Sequence, residues 1–170
     1  MQTYPKDGAQ AHMLMANHPT EEAAAKTAML IRKPVAEFFE AFINPDITAK
    51  FWFTHSTGKL AVGEKIEWTW QMYNVSVPVI VKEIEPNKKI VVEWGNYQHM
   101  SKIVWTFEDF GSKGTYVTIV NSGFQGNTSE LMAQISDSTK GFTFLLAGLK
   151  AWLEHGIQLN LSLDAFPNGK

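Results

Sequence analysis

From Ile66 the chain places a large apolar side chain at every second position: Ile66, Trp68, Trp70 and Met72 alternate with Glu67, Thr69 and Gln71. Ile103, Trp105 and Phe107 repeat the pattern between Lys102, Val104, Thr106 and Glu108. Neighbouring side chains of a strand point to opposite faces, so each segment has one aromatic face and one wetter face. Gly58, Gly63, Tyr73-Asn74, Pro86-Asn87, Gly95-Asn96 and Gly111-Ser112-Lys113-Gly114 punctuate the stretch at hairpin intervals. Strands are therefore predicted over 64–72, 75–85, 88–94, 101–109 and 115–122. A parallel pairing needs a crossover of roughly a dozen residues or more, and no gap here is long enough. The region must be an antiparallel meander.

Helical periodicity flanks it. Thr27 to Arg32 reads as a strand, and Pro34 then suits a first helical position because its missing N–H is one that a helix start leaves unpaired. Val35, Phe38, Phe39 and Phe42 form an i, i+3, i+4, i+7 stripe that Asn44-Pro45 ends, and Asp46 to Trp52 is a second short helix. After Gly123-Phe124-Gln125-Gly126, Ser129 to Ile135 reads as a short helical lead-in. Phe142, Leu145, Leu146, Leu149, Trp152 and Leu153 then mark a helix from Ser138 to His155, about 27 Å long. Gly156 stops it. In the tail, Ile157, Leu159, Leu161 and Leu163 alternate at period two and read as extended, although Ile157 and Leu161 also fit a helical turn. The expected fold class is α+β: a curved antiparallel sheet of six or seven strands wrapped on a long C-terminal helix, with two short helices after the first strand. One helix cannot cover so wide a sheet, so a groove or cavity should lie between them.

The 170 residues suit one domain with an ample core. Residues 1–25 are set apart as a partly ordered N-terminal arm, and 26–170 as the domain. Thr20 with Glu21 and Glu22 is placed to cap a short helix, and Met13-Leu14-Met15 offers apolar surface for the body or for a second subunit. The absence of Cys excludes disulfides, thiolate metal sites and thiol catalysis, and a net charge of −2 gives no basic footprint for nucleic acid. No apolar run reaches the roughly 20 residues of a membrane span, and the polar start is not a signal peptide, so a cytoplasmic location is expected.

Several segments in order resemble the START-like, birch-allergen-like (SRPBCC) superfamily, and within it the branch of activators of the heat-shock protein 90 ATPase. Ile31-Arg32-Lys33-Pro34-Val35-Ala36-Glu37 is similar to the family's first strand-to-helix junction, followed by Asn44-Pro45-Asp46 through Phe51-Trp52. Gly58-Lys59-Leu60 with Gly63, Trp68 and Trp70 resembles its glycine-flanked second hairpin. Glu83-Ile84-Glu85-Pro86-Asn87-Lys88 with Val92-Glu93-Trp94 resembles its mid-sheet turn, and Gly141-Phe142 through Leu146, Leu149, Lys150 and Trp152-Leu153-Glu154 its terminal helix. The likeness spans residues 26–156. It implies a helix-grip fold, hydrophobic ligands held under the long helix in the wider superfamily, and no shared catalytic residues. The arm departs from the pattern, and nothing here matches the separate N-terminal domain of the true co-chaperones.

Enzymatic motifs are few. Gly58 to Lys65 superficially resembles a phosphate-binding loop, but Glu64 stands where the phosphate-contacting Lys belongs, so a hairpin turn is the better account. His12, His18, His55, His99 and His155 show no metal spacing, and no Gly-x-Ser-x-Gly elbow occurs. Asn74, Asn127 and Asn160 begin glycosylation sequons that mean nothing without secretion. What is enriched is aromatic residues, 12% of the chain with six Trp and eleven Phe. Trp52, Trp68, Trp70, Trp94, Trp105, Phe107, Phe142, Leu145, Leu149 and Trp152 are the candidate cavity lining, though each also fits plain core packing. His99 and Asn121 are the polar candidates. Glu93 should face solvent, and Gly148 either lets the helix approach closely or leaves room above a cavity.

The leading expectation is a non-enzymatic domain binding a small hydrophobic molecule, without cofactor or metal. The alternatives are a protein-interaction module similar to chaperone ATPase activators, with a chaperone partner, and a cyclase- or hydrolase-like enzyme. The apolar tail and the Met13–Met15 cluster also allow a homodimer.

Overall fold

The computed structural model describes residues 23–165 and 167. The expectations for the Thr20 helix and the Met13–Met15 cluster lie outside the described residues. Seven strands form one antiparallel sheet: β1 (Ala24–Ile31), β2 (His55–Ser56), β3 (Lys65–Trp70), β4 (Val75–Glu85), β5 (Lys89–Asn96), β6 (His99–Asp109) and β7 (Thr115–Ser122). Their order is β1-β7-β6-β5-β4-β3-β2, so β2 to β7 is an unbroken meander and β1 closes its far edge. Helices α1 (Val35–Ile43) and α2 (Pro45–Thr48) follow β1, and α3 (Thr128–His155) and α4 (Leu161–Ala165) follow β7. The arrangement is an α+β helix grip.

The turns follow from their residues. Asn74 and Asn87 take the left-handed backbone that Asn tolerates, with φ of 51° and 61°. At Lys82 the β4–β5 register slips by one residue, a bulge that adds curvature. The Gly58 to Lys65 segment joins β2 to β3 as a hairpin loop. Glu93 faces outward, with Lys82 at 3.4 Å. β3 ends at Trp70 instead of Met72, which sits in a 3-10 turn of residues 71–73.

Pro34 is the N-cap of α1, one residue outside the expected position. From α1, Phe38 and Phe42 reach the sheet, with ring centroids 5.4 and 5.9 Å from that of Phe107. Helix α2 is shorter than expected, because the Thr48 hydroxyl donates to the Ala41 carbonyl at 2.6 Å and folds the corner back on α1. Turns beyond Thr48 then carry Trp52 onto the sheet.

Two expectations about the C-terminal region are corrected. The lead-in and main helix are one continuous α3 of 28 residues, about 42 Å long. A capping box starts it early: the Asn127 side chain accepts from the Glu130 N–H at 3.1 Å, and the Glu130 carboxylate accepts from the Asn127 N–H at 2.7 Å. The residues between Ile135 and Thr139 include no helix breaker. Gly156 does end the helix, with φ of 67° and its N–H donating to Trp152 at 2.8 Å. The tail is not extended throughout: after Asn160, in left-handed conformation, Leu161–Ala165 forms α4. Neither sequence reading matches throughout: residues 157–160 are not helical, so Ile157 and Leu161 share no turn, and the helix holds only Leu161 and Leu163 of the four apolar residues. Ile157, Leu159 and Leu163 remain exposed.

Helix α3 is unevenly supported. Phe142, Leu145, Leu146, Gly148 and Leu149 are buried, whereas no residue from 128 to 141 is. A Cβ on Gly148 would lie 3.2 Å from the Phe51 carbonyl oxygen, so this glycine serves close approach. Near the C-terminal end of α3, Glu154 accepts from the Arg32 N–H at 2.7 Å and from Lys150 Nζ at 2.5 Å, and Lys150 also donates to the Leu30 carbonyl. Burial raises the Glu154 carboxyl, but the Arg32 and Lys150 hydrogen bonds outweigh it and hold the group below its ordinary range. These bonds fasten one end of α3 to β1.

Candidate functional site

Where α3 leaves the sheet, a solvent-open pocket of about 1040 Å³ lies between its N-terminal half and strands β3 to β7. That is ample for a small molecule, since such sites span roughly 300–1,000 Å³. The register explains its chemistry. Along β7 the inward row is Thr115, Val117, Ile119 and Asn121, and along β6 it is Phe107, Trp105, Ile103, Ser101 and His99. Both rows are largely apolar at one end, where α1 and the buried half of α3 cover them, and polar at the other. The polar ends face Gln134, Asp137 and Ser138 of α3, and the loop 123–126 and Ser162 of α4 complete the rim.

The floor is aromatic. Trp52, Trp70, Trp94 and Phe142 all line it. Trp52 is the hub, with its ring centroid 4.6 Å from that of Trp68, 5.9 Å from Trp70, 6.1 Å from Trp94 and Trp105, and 6.0 Å from Phe142. Such rings present flat, polarisable faces to a guest.

The structure divides the ten apolar candidates. Trp52, Trp70, Trp94 and Phe142 face the pocket, whereas Trp68, Trp105, Phe107, Leu145 and Leu149 are buried in the core. Trp152 lies half-buried near the far end of α3, with Lys50 Nζ 6.0 Å from its ring centroid. Both polar candidates reach the pocket. His99 begins β6 at the exposed rim, and Asn121, only 2% exposed, closes the inward row of β7. Asn121 Nδ2 donates to Ser138 Oγ at 3.0 Å and so ties the sheet to α3. Asn121 Oδ1 is buried without a hydrogen-bond partner among the described residues. Tyr73 stands half-buried at the lip, where burial pushes its phenol above the ordinary value. Asp137 is paired with Lys140 at 3.1 Å.

Sequence reasoning missed Ser101, Gln134, Asp137 and Ser138. The signal was present: Ser101 has the parity of Ile103, and Gln134, Asp137, Ser138 and Gly141 have i, i+3, i+4, i+7 spacing. That polar stripe runs into the apolar one beginning at Phe142. Among the described residues, no three His, Asp or Glu converge as a metal site requires, and no helix is long and apolar enough to cross a membrane.

Residues 32–154 match the family described as Activator of Hsp90 ATPase homolog 1-like protein. The chain belongs to this family. Among solved structures it is similar to a protein from Staphylococcus saprophyticus, at 27% identity over 80% of this chain and 95% of that one, with a TM-score of 0.69. The Aha1 dimer from Colwellia psychrerythraea has the same fold at 18% identity, over 78% of this chain and 97% of that one, with a TM-score of 0.68. DynU16, a protein of the dynemicin biosynthetic locus, shares it at 19% identity with a TM-score of 0.71; the match covers 81% of this chain and 49% of that one. No curated protein matches the sequence. The family's fold therefore accounts for the sheet and its helix, and the pocket has to be read from its own residues.

Proposed function

We propose that the chain is a binding domain that takes a small hydrophobic molecule into the pocket between the sheet and α3, and that it performs no chemistry on it. The observation that carries this reading is the pocket of about 1040 Å³ floored by Trp52, Trp70, Trp94 and Phe142. Trp52 and Trp94 are only half-buried at this solvent-open site, with Trp70 and Phe142 buried behind them, and a guest would remove that remaining apolar surface from water. With three of the six Trp on the floor, intrinsic fluorescence reports occupancy. Titration with a panel of apolar dyes and fatty acids should quench that fluorescence saturably. A ligand at 100 times its Kd adds about 2.7 kcal/mol to stability, a Tm rise of several degrees for a domain of this size. A panel that neither quenches nor raises Tm removes the reading.

A second reading, a self-associating interaction module, draws support from family membership, the dimeric Colwellia relative and the exposed Ile157, Leu159 and Leu163. Sedimentation equilibrium showing a monomer at micromolar concentration counts against the dimer, and a pull-down that enriches no chaperone counts against that partner.

A further inference from the structure

We infer that the pocket selects a neutral, flat aromatic ligand carrying a hydroxyl group, and that Asn121 anchors that hydroxyl. The inference rests on the binding reading above and names its ligand class.

Three observations converge. First, Asn121 interrupts a buried row whose preceding members are Val117 and Ile119, and it is itself 2% exposed. A carboxamide in such a row is costly unless its polar atoms find partners. Second, only one of those atoms is engaged among the described residues: Nδ2 meets Ser138 Oγ, and Oδ1 meets nothing. Turning the amide over exchanges the roles but still leaves one atom unpartnered. Asn121 lines the pocket, and a ligand reaches its buried amide by opening the Asn121–Ser138 bond. A hydroxyl both donates and accepts, so it suits either setting. Third, the surroundings set the charge and shape. The Asp137–Lys140 pair is exposed at the rim, so the deep polar feature is the uncharged Asn121 amide, where an uncharged partner costs less to bury than a carboxylate or phosphate. Trp94 and Phe142, which line the same pocket, pack against each other with centroids 5.9 Å apart and offer ring surface on which a planar ring system can lie.

The test compares naphthalene, naphthol and the methyl ether of naphthol by Trp quenching, on the wild-type chain and on Asn121→Leu. Naphthol should bind about fivefold or more tightly than either of the others, and Asn121→Leu should bring the three together. Equal binding of naphthol and its ether to the wild type overturns the anchor but leaves the pocket as a binding site. A hydroxyl preference that survives in Asn121→Leu also overturns it, because the anchor then lies elsewhere. If none of the three quenches, this inference falls, and failure of the dye and fatty-acid panel as well would remove the binding reading beneath it. Thermal melts establish that the variant is folded, and Asn121→Val, better suited to a strand, replaces it if it is not.

Discussion

Gly114→Ala is expected to lower stability by about 3–5 kcal/mol, at the upper end of single-residue effects. Gly114 sits before β7 with φ of 114°, a conformation that L side chains rarely adopt. A Cβ there would lie 2.2 Å from the Ile31 carbonyl oxygen and 2.7 Å from the Arg32 Cα. Both neighbours are backbone at the end of β1, so relief requires moving the chain rather than turning a side chain. The Thr115 hydroxyl donates to the Lys33 carbonyl at 2.8 Å across the same junction and would be displaced with it. Gly111→Ala is the control: its φ is also positive, at 59°, but a Cβ there meets nothing within 4 Å. It should cost about 1–2 kcal/mol, from backbone conformation alone. Urea unfolding measures both, and a Gly114→Ala midpoint no lower than that of Gly111→Ala would show that the close contact does not matter.

Trp68→Ala is expected to cost about 3–5 kcal/mol and to weaken ligand binding as well. Trp68 does not line the pocket; it is 2% exposed and lies against Trp52, and it stacks on Phe53 at 5.3 Å with 22° between the ring planes. Removing it leaves a void under the hub of the floor, and Trp52 can then sink away from the guest. Trp68→Phe keeps an aromatic ring there and should retain most of both properties. Urea denaturation gives the stability loss, and titration with the best ligand of the panel gives the affinity. Unchanged affinity in a folded Trp68→Ala variant would mean that Trp52 is held by its other neighbours.

The sequence showed the meander because β-strand periodicity is local: two residues of Trp-x-Trp suffice to reveal a face. It showed α1 and the buried half of α3 for the same reason, through Phe38, Phe42, Leu145 and Leu149. It showed a helical lead-in over Ser129 to Ile135 but not its continuity with the main helix, because no residue of 128–141 is fully buried and the apolar stripe does not run through Ser136 to Gly141. The sign of the early start was instead the capping pair of Asn127 and Glu130. The candidate lining separated into floor and core for a related reason. Trp68 and Trp70 share a strand face and are both buried, and the position of Trp52, set by the turns after α2, is part of what leaves Trp70 and not Trp68 in the pocket wall. A partner brought in by a loop leaves no periodic trace.

The same capping pair gives α3 a mechanical property. The helix is fastened by the Glu154 and Lys150 bonds at one end and packed from Phe142 onward, while about 21 Å of it, residues 128–141, reaches past its last buried side chain. Because it is one uninterrupted helix, it moves as a lever rather than as two hinged rods. A tilt of about 5° pivoting at Phe142 displaces the Thr128 end by about 2 Å without breaking a hydrogen bond inside the helix. The mouth of the pocket can therefore widen at the cost of few contacts, chiefly the Asn121–Ser138 bond that spans it and the bond that Gln134 donates to the Gln125 carbonyl at the rim.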